Sequence, residues 1–275
     1  MTVVNTNISG LIGLNNLRIT NLGLKTSLAR LSSGLRINWG SDDPSGLAIA
    51  KGMQAQVGGI RTAVQNGEDG INLIHTADGA LAESQDILLR MRDLAVRASN
   101  EATLTSSDMQ RLHKEYASLA AELDRKSSAV TFNTKCLFSG GFNAGRSLQI
   151  GADNGTNFRL TVQISTLTGA NLNVVTYALS TAAKANIAIS AVNSALNRIS
   201  DIRASLGITE RRINTIINDL KAQDINISAA KSRILDADMA VEISEFTRLQ
   251  ILQQTGTAIL AQANAQPQSI LQLMK

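Results

Sequence analysis

Apolar residues recur at steps of three and four over most of the chain, the spacing that lines one face of an α-helix. Near the start, Leu14, Leu17, Asn21, Leu24, Leu28, Leu31 and Leu35 trace a heptad-like seam with a single polar interruption. Asn21 holds an a-type position. Buried there, it fixes register at some loss of stability; exposed, it carries no structural meaning, and the sequence supports both readings equally. The seam stops at "NWGSDDPSG". In that stretch Gly40 offers a helix stop or turn, Asp43 a carboxylate for free amides of the next helix, and Pro44 a first-turn residue with no amide to lose. The pattern therefore predicts one helix stopping and another starting across a short polar hinge.

From residue 45 to 98, Met53, Val57, Ile60, Val64, Ile71, Ile74, Leu81, Leu88 and Met91 keep helical spacing despite several glycines. Such a helix would run roughly 80 Å, too long for a compact globule. "SNEATLTSSD" breaks the pattern, and Met109, Leu112, Tyr116, Leu119 and Leu123 resume it, predicting an antiparallel neighbour over 107–130. Then the period changes to two. Leu148 and Ile150, a turn at Asn154–Gly155, and Phe158, Leu160, Val162 and Ile164 read as a β-hairpin within 131–180. The Asn154 sequon is better explained by that turn than by glycosylation. Helical spacing returns with Ile187, Val192, Leu196, Ile199, Leu206, Ile213, Ile217 and Leu220, predicting a helix over 181–222. The tail adds Leu235, Met239, Ile243, Phe246, Leu249 and Leu252, again at steps of three or four.

The expected fold is mainly α: a long antiparallel helical rod with a small β-hairpin region and terminal helices that form a coiled coil on assembly. Three regions are expected: residues 1–40, an N-terminal helix and hinge; 41–234, the rod; and 235–275, a C-terminal helix. Each terminal helix has an apolar stripe and no obvious partner nearby in sequence. Such stripes pair with each other or between molecules, because unpaired leucines in water are unstable or sticky.

Composition fits this picture. Apolar residues make up 44% but aromatics only 3%, so buried contacts come from aliphatic side chains, the material of helix-on-helix packing. Two prolines leave room for long helices. The net charge of +4 is spread along the chain rather than interleaved with aromatics, which argues against nucleic-acid binding. Cys136 stands alone, excluding an intrachain disulfide, and is expected to be a small buried hydrophobe. No secretory signal and no run of eighteen apolar residues is present, so neither a cleaved leader nor a membrane partner is expected. Taken alone this indicates the cytoplasm, without excluding export that needs no cleaved signal.

Candidate chemistry is sparse. Phosphate-cradling loops, HExxH, GxSxG, CxxC and GxGxxG are all missing. His75 and His113 lack a second imidazole at ligand spacing and read as helix-surface residues. Asp42 and Asp43 are explained by capping a helix start. No catalytic residue, metal ligand or cofactor is expected, and the chain reads as a structural protein.

With these patterns in place, "LSSGLRIN", "DDPSGLAIA", "NGEDGINLIHTADGAL" and "FNTKCLFSGG" resemble the N-terminal signatures of bacterial flagellins. "AAKSRILDADMAVEISEFTRLQILQQTGTAILAQANAQPQSILQLMK" resembles their C-terminal signature. Trp39 and Pro44 stand where small residues are usual in that hinge, and Cys136 is atypical. Only "TGANLNVVTYALS" separates the hairpin from the last long helices, so this resembles a minimal form without variable outer domains.

The resemblance implies an extracellular subunit of a helical flagellar filament, exported unfolded by the flagellar type III pathway and polymerising with itself through terminal coiled coils. It assigns assembly to Leu24, Leu28, Leu31, Leu35, Met239, Ile243 and Phe246, and export-chaperone binding to Phe246, Leu249 and Leu252. Filament cap and hook-filament junction proteins are further implied partners. "LLRMRDLAV" resembles the helix read by the flagellin-sensing Toll-like receptor, which points to Arg90, Leu94 and, on the next helix, Glu115. Leu89 and Asp93 depart from the usual Gln and Glu of that segment. The alternatives are a hook-filament junction protein, which shares both ends, and a cytoplasmic coiled-coil adaptor.

Overall fold

The computed structural model describes residues 6–175, 177 and 179–273. The outermost residues of both expected terminal segments, 1–5 and 274–275, lie outside the described residues. Five helices dominate: α1 (Ile8–Ser33), α2 (Pro44–Ala98), α3 (Ser106–Ala129), α4 (Ala182–Leu235) and α5 (Met239–Leu273). Four short strands, β1 (Thr131–Phe132), β2 (Lys135–Cys136), β3 (Arg146–Gln149) and β4 (Arg159–Val162), form two antiparallel hairpins between α3 and α4. The fold is thus mainly α with small hairpins. α4 continues beyond the 222 limit read from the sequence, because Ile225, Ile227 and Ile234 sit in a stretch with no helix breaker before Asp236.

The chain divides into two compact units, Met1–Ala55 with Asn226–Lys275, and Gln56–Ile225. In the second unit, α2 runs antiparallel to α4. Asp78 meets Arg203 at 2.7 Å, His75 meets Glu210 at 3.1 Å and Arg61 meets Asp224 at 3.1 Å, the partners ascending on one helix as they descend on the other. α3 lies antiparallel along α2 in the same manner, joined by Arg90–Glu115 and Lys126–Glu83. Leu81, Leu88 and Met91 of α2, Tyr116 and Leu123 of α3, Val192, Ile199 and Leu206 of α4, and Leu160 and Val162 of β4 share one core. Tyr116 donates its hydroxyl proton to the Val174 carbonyl at 3.1 Å; burial, with a smaller contribution from Tyr177, pushes its pKa up to about 12.

Local sequence explains most helix ends. Asp43 accepts from the Gly46 amide at 2.9 Å and Pro44 opens α2, as the hinge sequence predicts. Thr105 and Asp108 form a reciprocal capping box at α3. α1, however, is stopped by Gly34 rather than Gly40. Gly34 takes a left-handed φ of +71° and donates its amide to Arg30 O at 2.8 Å, a geometry that strongly favours glycine.

The predicted hairpin forms as β3 and β4, but its turn is not a tight Asn154–Gly155 reversal. Gly155 has an extended φ of 172°, so the two left-handed residues of a tight turn are missing. A longer loop instead closes through Ile150 N to Phe158 O at 2.8 Å, ending in a single 3-10 turn. The Gln149 side-chain amide holds its interior, Nε2 donating to Gly151 O at 3.0 Å and Asp153 O at 2.8 Å, while Arg159 Nη2 donates to Asn154 Oδ1 at 3.1 Å. The tight turn falls elsewhere, between β1 and β2, where Asn133 and Thr134 have φ of +46° and +64°. Cys136 is only half-buried, its thiol 3.5 Å from Ser128 O, because β2 is a surface strand.

Candidate assembly surface on the paired terminal helices

In the first unit α1 and α5 pair antiparallel. Small residues let them approach. Leu249 Cδ1 lies 3.3 Å from where a Cβ on Gly23 would stand, Leu260 packs over Gly13 at 3.4 Å and Leu17 over Gly256 at 3.3 Å. Each helix therefore offers glycine notches to the leucines of the other. Polar groups set the register between them. Asn7 caps α1 through the Gly10 amide at 3.0 Å while its own amide reaches Ala263 O at 2.9 Å, and Gln253 Nε2 donates to Asn21 Oδ1 at 2.9 Å. Asn21 is thus half-buried and bonded across the pair, which decides between its two readings in favour of register.

The stretch after α1 and the link between α4 and α5 close this pair at one end. Arg36 N donates to Leu235 O at 2.6 Å, Ala237 N to Gly34 O at 2.9 Å, and Leu35 and Asp236 form an isolated antiparallel bridge. The Arg36 guanidinium adds a bond to Ile234 O at 2.8 Å. Asp42 Oδ2 accepts from the amides of both Asn38 and Trp39 at 3.0 Å, and these bonds hold its carboxyl below the usual range. Sequence reading missed this clasp. Its partners are nearly two hundred residues apart and mostly use main-chain atoms, which leave no trace in side-chain pattern.

The inward face is narrow. Of the predicted residues, Leu24, Leu31, Leu35 and Phe246 are half-buried, and Leu249 is buried. Leu28, Met239, Ile243 and Leu252 point to solvent, as does Leu14 of the expected seam. The reason is that α1 is apolar on more than one face; the inward track runs through Gly10, Gly13, Leu17, Thr20, Leu24 and Ser27, not through every leucine. The outward side carries Ile8, Leu11, Ile12, Leu14, Ile19, Leu22 and Leu28 on α1 and Met239, Val241, Ile243, Ile251, Leu252 and Ile259 on α5, each more than 40% exposed.

In the second unit Arg90 and Glu115 lie together on the surface, with Arg90 Nη2 2.6 Å from Glu115 Oε1. Leu94, by contrast, is buried in the core. His75 pairs with Glu210, and His113 Nδ1 accepts from the Leu179 amide at 3.4 Å. Among the described residues no group of three or more His, Cys, Asp or Glu side chains is placed to hold a metal ion, and no helix is long and apolar enough to cross a membrane.

Residues 4–143 match the bacterial flagellin N-terminal helical region and residues 189–274 the bacterial flagellin C-terminal helical region. The chain is 40% identical to a flagellin of Halalkalibacterium halodurans, covering 99% of this chain and 100% of that one. It is 38% identical to a flagellin of Bacillus subtilis, with 99% of each covered. A putative flagellar hook-associated protein of Vibrio parahaemolyticus shares the fold, with a TM-score of 0.58 at 12% identity over 71% of this chain and all of that one. The matches at both ends and the relatives covered over nearly their whole length place this chain in the bacterial flagellin family, the non-enzymatic structural proteins of the extracellular flagellar filament.

Proposed function

We propose that this chain polymerises with copies of itself through the outward ridges of α1 and α5, building the inner coiled-coil layer of a swimming filament. The observation that carries this reading is the ridge itself: among the described residues, thirteen large aliphatic side chains of two paired helices are left more than 40% exposed. Full burial of an Ile, Leu, Val or Met side chain contributes about 1.5–3 kcal/mol, and roughly half of each remains to be gained. The ridge thus holds on the order of 10–20 kcal/mol of favourable transfer, set against the ordering and rigid-body entropy of docking. A contact between different faces of successive copies propagates a helix rather than a ring when its rotation does not close on itself.

Leu28, Met239 and Ile243 are the assigned assembly residues that face outward. Leu24, Leu31, Leu35 and Phe246 act by holding α1 against α5. Removing residues 1–30 or 246–275 leaves soluble, largely helical monomers that fail to polymerise; sedimenting filaments from either truncation would refute the role of the paired ends.

The same reading takes in export through the flagellar type III pathway, with Phe246, Leu249 and Leu252 binding an export chaperone. Leu249 packs on Gly23, so the chaperone and α1 compete for it and chaperone-bound chain has its ends apart. Filament cap and hook-filament junction proteins are its neighbours at the two filament ends. For the flagellin-sensing Toll-like receptor, the exposed Arg90–Glu115 pair is the contact and Leu94 supports the helix from beneath. A reporter-cell assay with soluble monomer, flat at saturating dose, would remove that partner.

A further inference from the structure

One feature of the first unit is explained neither by pairing of α1 with α5 nor by the outward aliphatic ridges. At the hinge, a cavity of about 190 Å³ is lined by Lys25, Thr26, Ala29, Arg30, Asn38, Trp39 and Asp42. Several of its donors find no acceptor among the described residues. Lys25 and Trp39 make no side-chain hydrogen bond among the described residues, and the Arg30 guanidinium makes none either. Its closest acid, Glu242, stands 3.8 Å away, and Arg30 Nε is buried without a partner. Lysine, arginine and the indole are donors only. The local carboxylate, Asp42, spends one oxygen on the Asn38 and Trp39 amides. A buried donor without an acceptor is destabilising and calls for an explanation.

The indole adds a second, independent signal. It is 69% exposed, on a turn fixed by the Asp42 bonds and by Asn38 Nδ2 to Leu35 O at 3.3 Å. A rigid exposed tryptophan beside an under-bonded arginine has the composition of a protein–protein hot spot.

We infer that this hinge cavity is a socket for a carboxylate side chain of a second copy of the chain, which bonds to Lys25 and Arg30 and packs on the Trp39 ring. A carboxylate brings acceptors to these donors, and copies of this chain carry such groups on their surface. Asp69, Asp93, Asp201 and Asp219 are exposed on helices of the second unit and take part in no ion pair among the described residues. Glu242 and Asp42 offset the charges of Arg30 and Lys25, so the incoming carboxylate is held chiefly by directed bonds to these two side chains. The inference rests on the assembly reading above and adds to it a polar contact that fixes how neighbouring copies meet.

The test uses filaments grown from an equal mixture of unlabelled and ¹⁵N-labelled chain, treated with a carbodiimide that couples an amine to a carboxylate only when they touch. Mass spectrometry of the digest is expected to show Lys25 joined to an Asp or Glu peptide of the opposite isotope label, and the product is expected to vanish in depolymerised chain. Lys25→Arg should abolish the cross-link while filaments still form. Trp39→Ala should leave the monomer's circular dichroism unchanged and raise the critical concentration by about tenfold or more. Lys25 left uncoupled, or coupled only within its own chain, in well-formed filaments would overturn the socket alone. Unaltered assembly by Trp39→Ala would do the same, whereas a chain that never assembles would overturn the assembly reading with it.

Discussion

Leu249→Ala isolates the contact that holds the chain ends together. Leu249 is only 8% exposed, whereas most large aliphatic residues described on α1 and α5 are more than 40% exposed, and it rests in the notch left by Gly23. Removing three carbons forfeits roughly 2.4 kcal/mol of transfer free energy at ~0.8 kcal/mol per methylene. Gly23 has no side chain to move into the space, so a cavity contribution adds to this. Water at the edges of a two-helix pair relieves part of it, and we expect about 2–3 kcal/mol, the low end for Leu→Ala. Local opening of the pair should therefore increase by about 30- to 150-fold. Hydrogen exchange on the monomer reads this directly: amides of α1 and α5 lose protection by that factor, while those of α2 and α3 around Leu88 and Tyr116 keep theirs. Unchanged protection in α1 would refute the notch argument. Equal loss in α3 would show that the two units do not unfold separately.

Three further outcomes follow from the same structure. Ile251→Ser, at a position 57% exposed in the free chain, should alter monomer stability by less than about 0.5 kcal/mol yet suppress sedimentation of seeded filaments. The Thr105 hydroxyl and amide hold Asp108 below the ordinary carboxylate range, so its contribution is present above the unfolded-state pKa and is lost as pH falls through the folded value. Thermal melts should show Asp108→Asn less stable than the parent near neutrality, with the difference narrowing below about pH 4. Asn21→Leu should tighten the α1–α5 pair in exchange measurements while weakening its register, read as loss of the single set of α5 exchange protection factors.

Much of this architecture is legible in side-chain periodicity because α2, α3 and α4 bury one face each, and Asp43, Pro44, Thr105 and Asp108 announce helix starts by their own chemistry. The terminal pair is harder to read. α1 bears aliphatic residues on several faces, so a leucine seam through Leu14 and Leu28 has the right spacing but the wrong direction. The true contact face is marked by Gly13, Gly23, Ser27 and Gly256, whose small size matters only once a partner helix is known. The hinge clasp of Gly34, Leu35 and Arg36 with Leu235, Asp236 and Ala237 uses main-chain groups, and the socket depends on which donors go unmet after folding. Both are invisible until distant segments meet.

Seeded growth tests the central claim most directly. Purified full-length chain is mixed with short filament fragments, sedimented, and viewed by negative-stain microscopy. Burial of the α1 and α5 ridges between copies predicts loss of the soluble protein into lengthening filaments above a sharp critical concentration. A chain that stays monomeric at high concentration with seeds present, its ridges still in water, would contradict the account.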